Sequence, residues 1–102
     1  MVSGHVDGVG RVVSVEEDAR SQRWTFAIDP SLSRYIAVKG SVCVDGVSLT
    51  VNAVTAKTFA VNLIPHTIEA TTFRARTTGA AVNIEVDLVA RYVERLFAGR
   101  GE

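Results

Sequence analysis

The segment Val42-Cys43-Val44-Asp45-Gly46-Val47-Ser48-Leu49-Thr50-Val51 constrains the fold of this chain most tightly. Two runs rich in β-branched residues flank an Asp-Gly pair. Such pairs favour two-residue hairpin turns because the backbone there needs positive φ. A hairpin with valines on every second position buries one face and exposes the other. Other short apolar runs follow the same rule. Val9, Val12, Val13 and Val15 mark a first strand after a turn-like Asp7-Gly8, and Arg23–Asp29 reads as a second that stops at Pro30. Phe59, Val61 and Leu63 alternate as a further strand ended by Pro65, and Val82, Ile84 and Val86 give another.

Short helices fit between these strands. Pro30 suits a first helical position, and Leu32, Tyr35 and Ile36 share one face, so a helical connection is expected from Pro30 to Ile36. A second runs from Pro65 to about Ala70. Asp87 opens a terminal helix in which Leu88, Tyr92 and Leu96 stack beside Val89, Val93 and Phe97, with Gly99 as its stop. The expected fold is therefore all-β: a closed antiparallel barrel of about six strands with short helices and a C-terminal helix, since closure removes exposed edges.

The 102 residues support one domain over 1–102. Hydrophobic residues at 47% argue against disorder, and one cysteine excludes an internal disulfide framework or a multi-thiolate metal site. Eleven basic against eleven acidic residues argue against a nucleic-acid partner, which draws a basic excess. The apolar runs are too short for a membrane span and Met1-Val2-Ser3 opens no secretory signal, so a cytoplasmic protein is expected.

Strand parity points to a face on which chemistry can sit. With Val47, Leu49 and Val51 inward, Ser48, Thr50 and Asn52 lie together outside. Asn62 and Ile64 fall outside in the same way, as do Asn83, Glu85 and Asp87. A solvated barrel exterior explains this pattern, and so does a small-molecule site with hydroxyls, amides, a carboxylate and Ile64 as an apolar floor. Asp87 also suits a helix N-cap. His5, between Gly4 and Val6, titrates in the range useful for proton transfer. Lys39 before Gly40 reads as a surface turn residue, and Cys43 as a small packed residue rather than a nucleophile.

At Ser3-Gly4-His5-Val6-Asp7-Gly8, Lys39-Gly40 and Val44 through Val51, the sequence resembles riboflavin synthase. Leu63-Ile64-Pro65-His66-Thr67, Thr71-Thr72 and Val82 through Asp87 continue the match in order and spacing. Members of that family are tandem repeats of two six-stranded Greek-key barrels followed by a C-terminal helix. This chain resembles the second barrel and the start of the helix. The resemblance implies dismutation of two 6,7-dimethyl-8-ribityllumazine molecules to riboflavin and 5-amino-6-ribitylaminopyrimidinedione, by transfer of a four-carbon unit without cofactor or metal. It implies catalytic roles for Ser48, Asp87 and His5. It implies ligand contacts from Val6, Lys39, Gly46, Ser48, Thr50, Ile64, Thr67 and Asp87. Lumazine or riboflavin is the expected small-molecule partner. In the family, the reacting pair meets between the first barrel of one subunit and the second barrel of a neighbour in a trimer. The family's first-barrel motif carries cysteine where Ser48 stands here, and no first barrel is present. The chain is therefore expected to be an excised or truncated half that pairs as a homodimer. A non-catalytic lumazine or flavin carrier, like the antenna proteins of light-emitting bacteria, is the alternative. An oligonucleotide-binding barrel is disfavoured by zero net charge and the lack of a basic, aromatic-studded face.

Overall fold

Valine-rich runs punctuated by tight turns fold here into a single sheet that closes on itself. The structure is a computed structural model that describes residues 6–71, 73 and 77–86. The described chain runs β1 (Gly8–Asp18), β2 (Ser21–Ala27), α1 (Pro30–Ser33), β3 (Ser41–Val44), β4 (Val47–Val54), β5 (Thr58–Leu63), α2 (Pro65–Ala70) and β6 (Ala81–Val86). Around the barrel the order is β1-β2-β5-β4-β3-β6, with every pairing antiparallel. Strands β3, β4 and β5 are consecutive neighbours and β6 returns beside β3, which is a Greek key.

Closure depends on β1 and β6. Strand β1 pairs with β6 over Gly8–Arg11 and with β2 from Arg11 to Asp18, with a register shift between Val12 and Ser14 that lets the strand bend. Strand β6 is held on both sides, Ile84 facing Gly8 on β1 and Val44 on β3. At the bend Gly10 has no room for a side chain: a Cβ there would stand 2.8 Å from the Ala27 carbonyl oxygen.

The alternation expected of β4, β5 and β6 holds except at Glu85, which is covered. Leu49, Val51, Phe59, Val61, Leu63, Val82, Ile84 and Val86 are buried, and Ser48, Thr50, Asn52, Asn62 and Asn83 are exposed. The core is aromatic at one end. The Phe26 ring stacks on Phe59 at 5.1 Å between centroids, and Trp24 meets Phe73 edge-on at 5.2 Å. The Trp24 indole N–H donates to Gln22 Oε1 at 3.1 Å, so its one polar group is satisfied at the barrel rim.

Several boundaries differ from expectation for local reasons. Asp7-Gly8 forms no turn: the Asp7 N–H already donates to the Ile84 carbonyl at 2.8 Å. Strand β1 runs on to Asp18 and meets β2 through the two residues Ala19-Arg20, a hairpin that lacks the usual Gly or Asn because Ala19 itself takes φ +55°. Helix α1 stops at Ser33 instead of Ile36. The Asp29 carboxylate caps it by accepting from the Ser31 N–H at 2.9 Å, and that bond holds the Asp29 carboxyl below its ordinary range. Beyond Ser33, Tyr35 N–H donates to the Leu32 carbonyl and Ile36 N–H to Ser33, so the chain tightens into three-residue turns that still bury Leu32 and Ile36. The expected C-terminal helix lies outside the described residues, as do His5 and Asp87.

Two stability outcomes follow from this packing. Phe26, 0% exposed and in contact with both Phe59 and Phe73, should cost about 3–5 kcal/mol when cut to Ala, read by denaturant unfolding. A loss below about 1 kcal/mol would show that the aromatic end is not the core. Gly46 sits at φ +84° with nothing within 4 Å of a built Cβ, so Gly46→Ala should cost about 1 kcal/mol by backbone strain alone. Thermal unfolding should then fall by about 4–8 °C. An unchanged midpoint would contradict it.

Candidate functional site

The hairpin that dominates the sequence also positions the candidate site. Asp45 (φ +48°) and Gly46 make its turn, and the ladder sets Cys43 opposite Ser48 and Ser41 opposite Thr50. On the other edge of β4, Val51 pairs with Val61 as the last rung of the β4–β5 ladder, and Ile64 follows β5 as the residue before α2. Ser48, Thr50 and Ile64 are all exposed, the two hydroxyls on the outer face of β4. Ile64 is 56% exposed, an apolar side chain held out of the core because it stands just before Pro65 at the start of α2. Thr67 follows within the first turn of α2, half-buried, and its carbonyl accepts from the Thr71 hydroxyl at 2.7 Å.

Lys39 reaches the same neighbourhood from the other direction. Its N–H donates to the Val51 carbonyl at 2.7 Å, and Val51 N–H donates back to the Gly40 carbonyl at 2.9 Å. These bonds hold the exposed Lys39 at φ +70°, next to the strand that carries Thr50. Gly46 is accounted for by its left-handed turn. Val6 is exposed but stands just before β1, with β6 and β3 between it and Ser48. Asn62, outward as expected, donates to the Asp18 carboxylate at 3.0 Å and is tied to the hairpin tip.

One relationship has no signal in local sequence pattern, because it is lateral. Cys43 faces Ser48 on β4 and Glu85 on β6, so Ser48, Cys43 and Glu85 form a row across the strands. Cys43 is a buried free thiol, as a packed residue should be. Burial raises its pKa, and the negative charge of Glu85 raises it further, so the thiol stays protonated at neutral pH. Glu85 points outward by parity, between core residues Ile84 and Val86, yet it is only 9% exposed. Its expected place on a solvated exterior is therefore corrected: it is a covered carboxylate.

Two clefts of about 380 and 350 Å³ open elsewhere, between α2 and the β1–β2 hairpin. They share Gln22 and Ile68, and neither is lined by Ser48, Thr50 or Ile64. Ser48, Thr50, Ile64 and Lys39 are all exposed.

A barrel of this order with hydroxyls on β4 has close counterparts. Residues 3–87 match the family model described as the lumazine binding domain. The chain is 45% identical over 94 residues to the riboflavin synthase of Bacillus subtilis (strain 168), covering 92% of this chain and 44% of that protein. It is 47% identical over 96 residues to the riboflavin synthase of Photobacterium phosphoreum, covering 94% and 44%. The chain thus spans about half the length of the curated relatives it matches. Among solved structures, LumP complexed with 6,7-dimethyl-8-(1'-D-ribityl) lumazine superposes with a TM-score of 0.75 at 28% identity, over 84% of this chain and 47% of that one. LumP with riboflavin and LumP with flavin mononucleotide each give 0.78 at 26% identity, over 86% and 88% of this chain and 47% and 50% of theirs. With a family model matched along most of its length, a closed six-stranded barrel and this placement of hydroxyls, the chain belongs to the lumazine-binding domain family.

Proposed function

We propose that this barrel binds one 6,7-dimethyl-8-ribityllumazine on the face of Ser48, Thr50 and Ile64, and serves riboflavin formation when two such faces meet. The observation that carries the reading is the register itself. It sets two exposed hydroxyls, Ser48 and Thr50, on the outer face of β4, and the exposed Ile64 follows the neighbouring β5, so a flat ring can lie on Ile64 while its polar edge and chain meet Ser48, Thr50 and Thr67. Each neutral hydrogen bond adds about 1 kcal/mol net, so affinity comes from several acting together. Lys39 supplies a cation at the rim. Val6, His5 and Asp87 are assigned to the far edge of the site on family resemblance, and Gly46 to the turn that presents Ser48.

The reaction of riboflavin synthase transfers a four-carbon unit between two lumazines, so a single site is half of what it needs. An open face meets that need by pairing with a second barrel, which turns two separate ligands into a positioned pair. Positioning of that kind lowers a barrier by up to about 7–11 kcal/mol. In this reading the domain comprises residues 1–102 and corresponds to the second barrel of the two-barrel enzymes. It works in the cytoplasm and pairs with a second copy, or with a first-type barrel in a trimer. Ser48, His5 and Asp87 attend the reacting atoms. The LumP complexes favour a second reading, a carrier that holds lumazine or flavin without turning it over.

Two measurements test these readings. Ser48→Ala and Thr50→Ala should each weaken riboflavin binding about five- to tenfold by fluorescence titration, with melting changed by less than about 2 °C, since both side chains are exposed. Strong loss of stability in both would mean that these residues face the core. Sedimentation should show a dimer that ligand strengthens, and lumazine turnover should rise with protein concentration. A strict monomer with bound chromophore and no product would leave the carrier reading instead.

A further inference from the structure

Helix α2 has Ile64 at its N-cap and Thr67 in its first turn, so whatever fixes α2 fixes that part of the candidate face. Its start is held weakly. A helix of 6 residues is too short to hold itself, and no side chain caps its N-terminus. The Ile68 N–H reaches the Ile64 carbonyl at a long 3.2 Å. Clefts of about 380 and 350 Å³ lie along the helix and share Ile68, so its packing on the barrel is incomplete there. The C-terminal end is held differently. The chain leaves the helix at Thr71, in extended backbone, and the Thr71 hydroxyl donates to the Thr67 carbonyl at 2.7 Å. That carbonyl is one of the last four of the helix, which need partners from outside it. The same hydroxyl oxygen accepts from the Phe73 N–H at 3.3 Å. Phe73 is 1% exposed, its ring edge-on to Trp24 at 5.2 Å and to Phe26 at 6.3 Å. One side chain thus joins Thr67 to the aromatic end of the core.

We infer that Thr71 is a positioning residue for the ligand face: its hydroxyl ties Thr67, and with it the α2 end of that face, to the buried Phe73. The inference rests on the ligand reading above and adds to it a residue that shapes the site from outside it. The Thr71 hydroxyl is committed to the Thr67 carbonyl, so it serves the ligand only through Thr67. Loss of the bond frees the turn that carries Thr67, and affinity falls without removal of any group that meets the ligand.

The test titrates the full chain with riboflavin, followed by flavin fluorescence, in two variants. Thr71→Val keeps the side-chain shape and loses the hydroxyl, whereas Thr71→Ser keeps the hydroxyl. Thr71→Val should weaken binding about fivefold, the worth of one hydrogen bond, and Thr71→Ser should stay within about twofold of the unmodified chain. In a Thr67→Val background, Thr71→Val should add less than about twofold, because the two residues act as one unit. Asp29→Ala, which uncaps α1 and lowers stability by a comparable amount, should leave affinity unchanged. Should Thr71→Val not fold, Thr71→Ala takes its place in the same comparison. Binding by Thr71→Val as tight as by the unmodified chain overturns the inference. Equal weakening by Thr71→Ser or by Asp29→Ala overturns it too, as does full additivity with Thr67→Val. Those results leave the ligand site intact. Failure of the unmodified chain to bind riboflavin removes the ligand reading, and this role of Thr71 with it.

Discussion

Pairing of β6 on both of its edges is the constraint on which the rest of the structure depends. With Ile84 set between Gly8 and Val44, the sheet has no free edge, and every strand must send alternate side chains inward. Closure converts a valine-rich sequence into a packed core and fixes the outward positions across strands as well as along them. The row from Ser48 through Cys43 to Glu85 is a consequence of closure and register together.

Much of this was legible in sequence. Asp45-Gly46 announced its hairpin because only a few residue types take positive φ cheaply, and the alternation of Leu49 with Thr50 marked the inner and outer faces. Other features had no local signature. Ala19 makes a hairpin turn without Gly or Asn, and the length of β1 is set by partners on two other strands. Burial of Glu85 could not be read from parity, which gives direction and says nothing of what covers a side chain. Pattern likewise placed Cys43 on the preceding strand, and only register shows it directly across from Ser48.

The candidate site follows from the same logic. In the reading we propose, an exposed face with hydroxyls encloses its ligand only when a second surface comes down on it. On that proposal fold and reaction are linked: a dismutation needs two bound molecules, and two like faces supply two.

The central claim is that ligand sits on the outer face of β4 and the start of α2. Mapping backbone amide shifts by NMR during riboflavin titration tests it most directly. The account predicts shifts concentrated at residues 47–51 and 63–68, with the β1–β2 hairpin tip at 18–21 unmoved. Shifts centred instead on Gln22, Trp24 and Thr77, which line the cleft on the far side of α2, would contradict it.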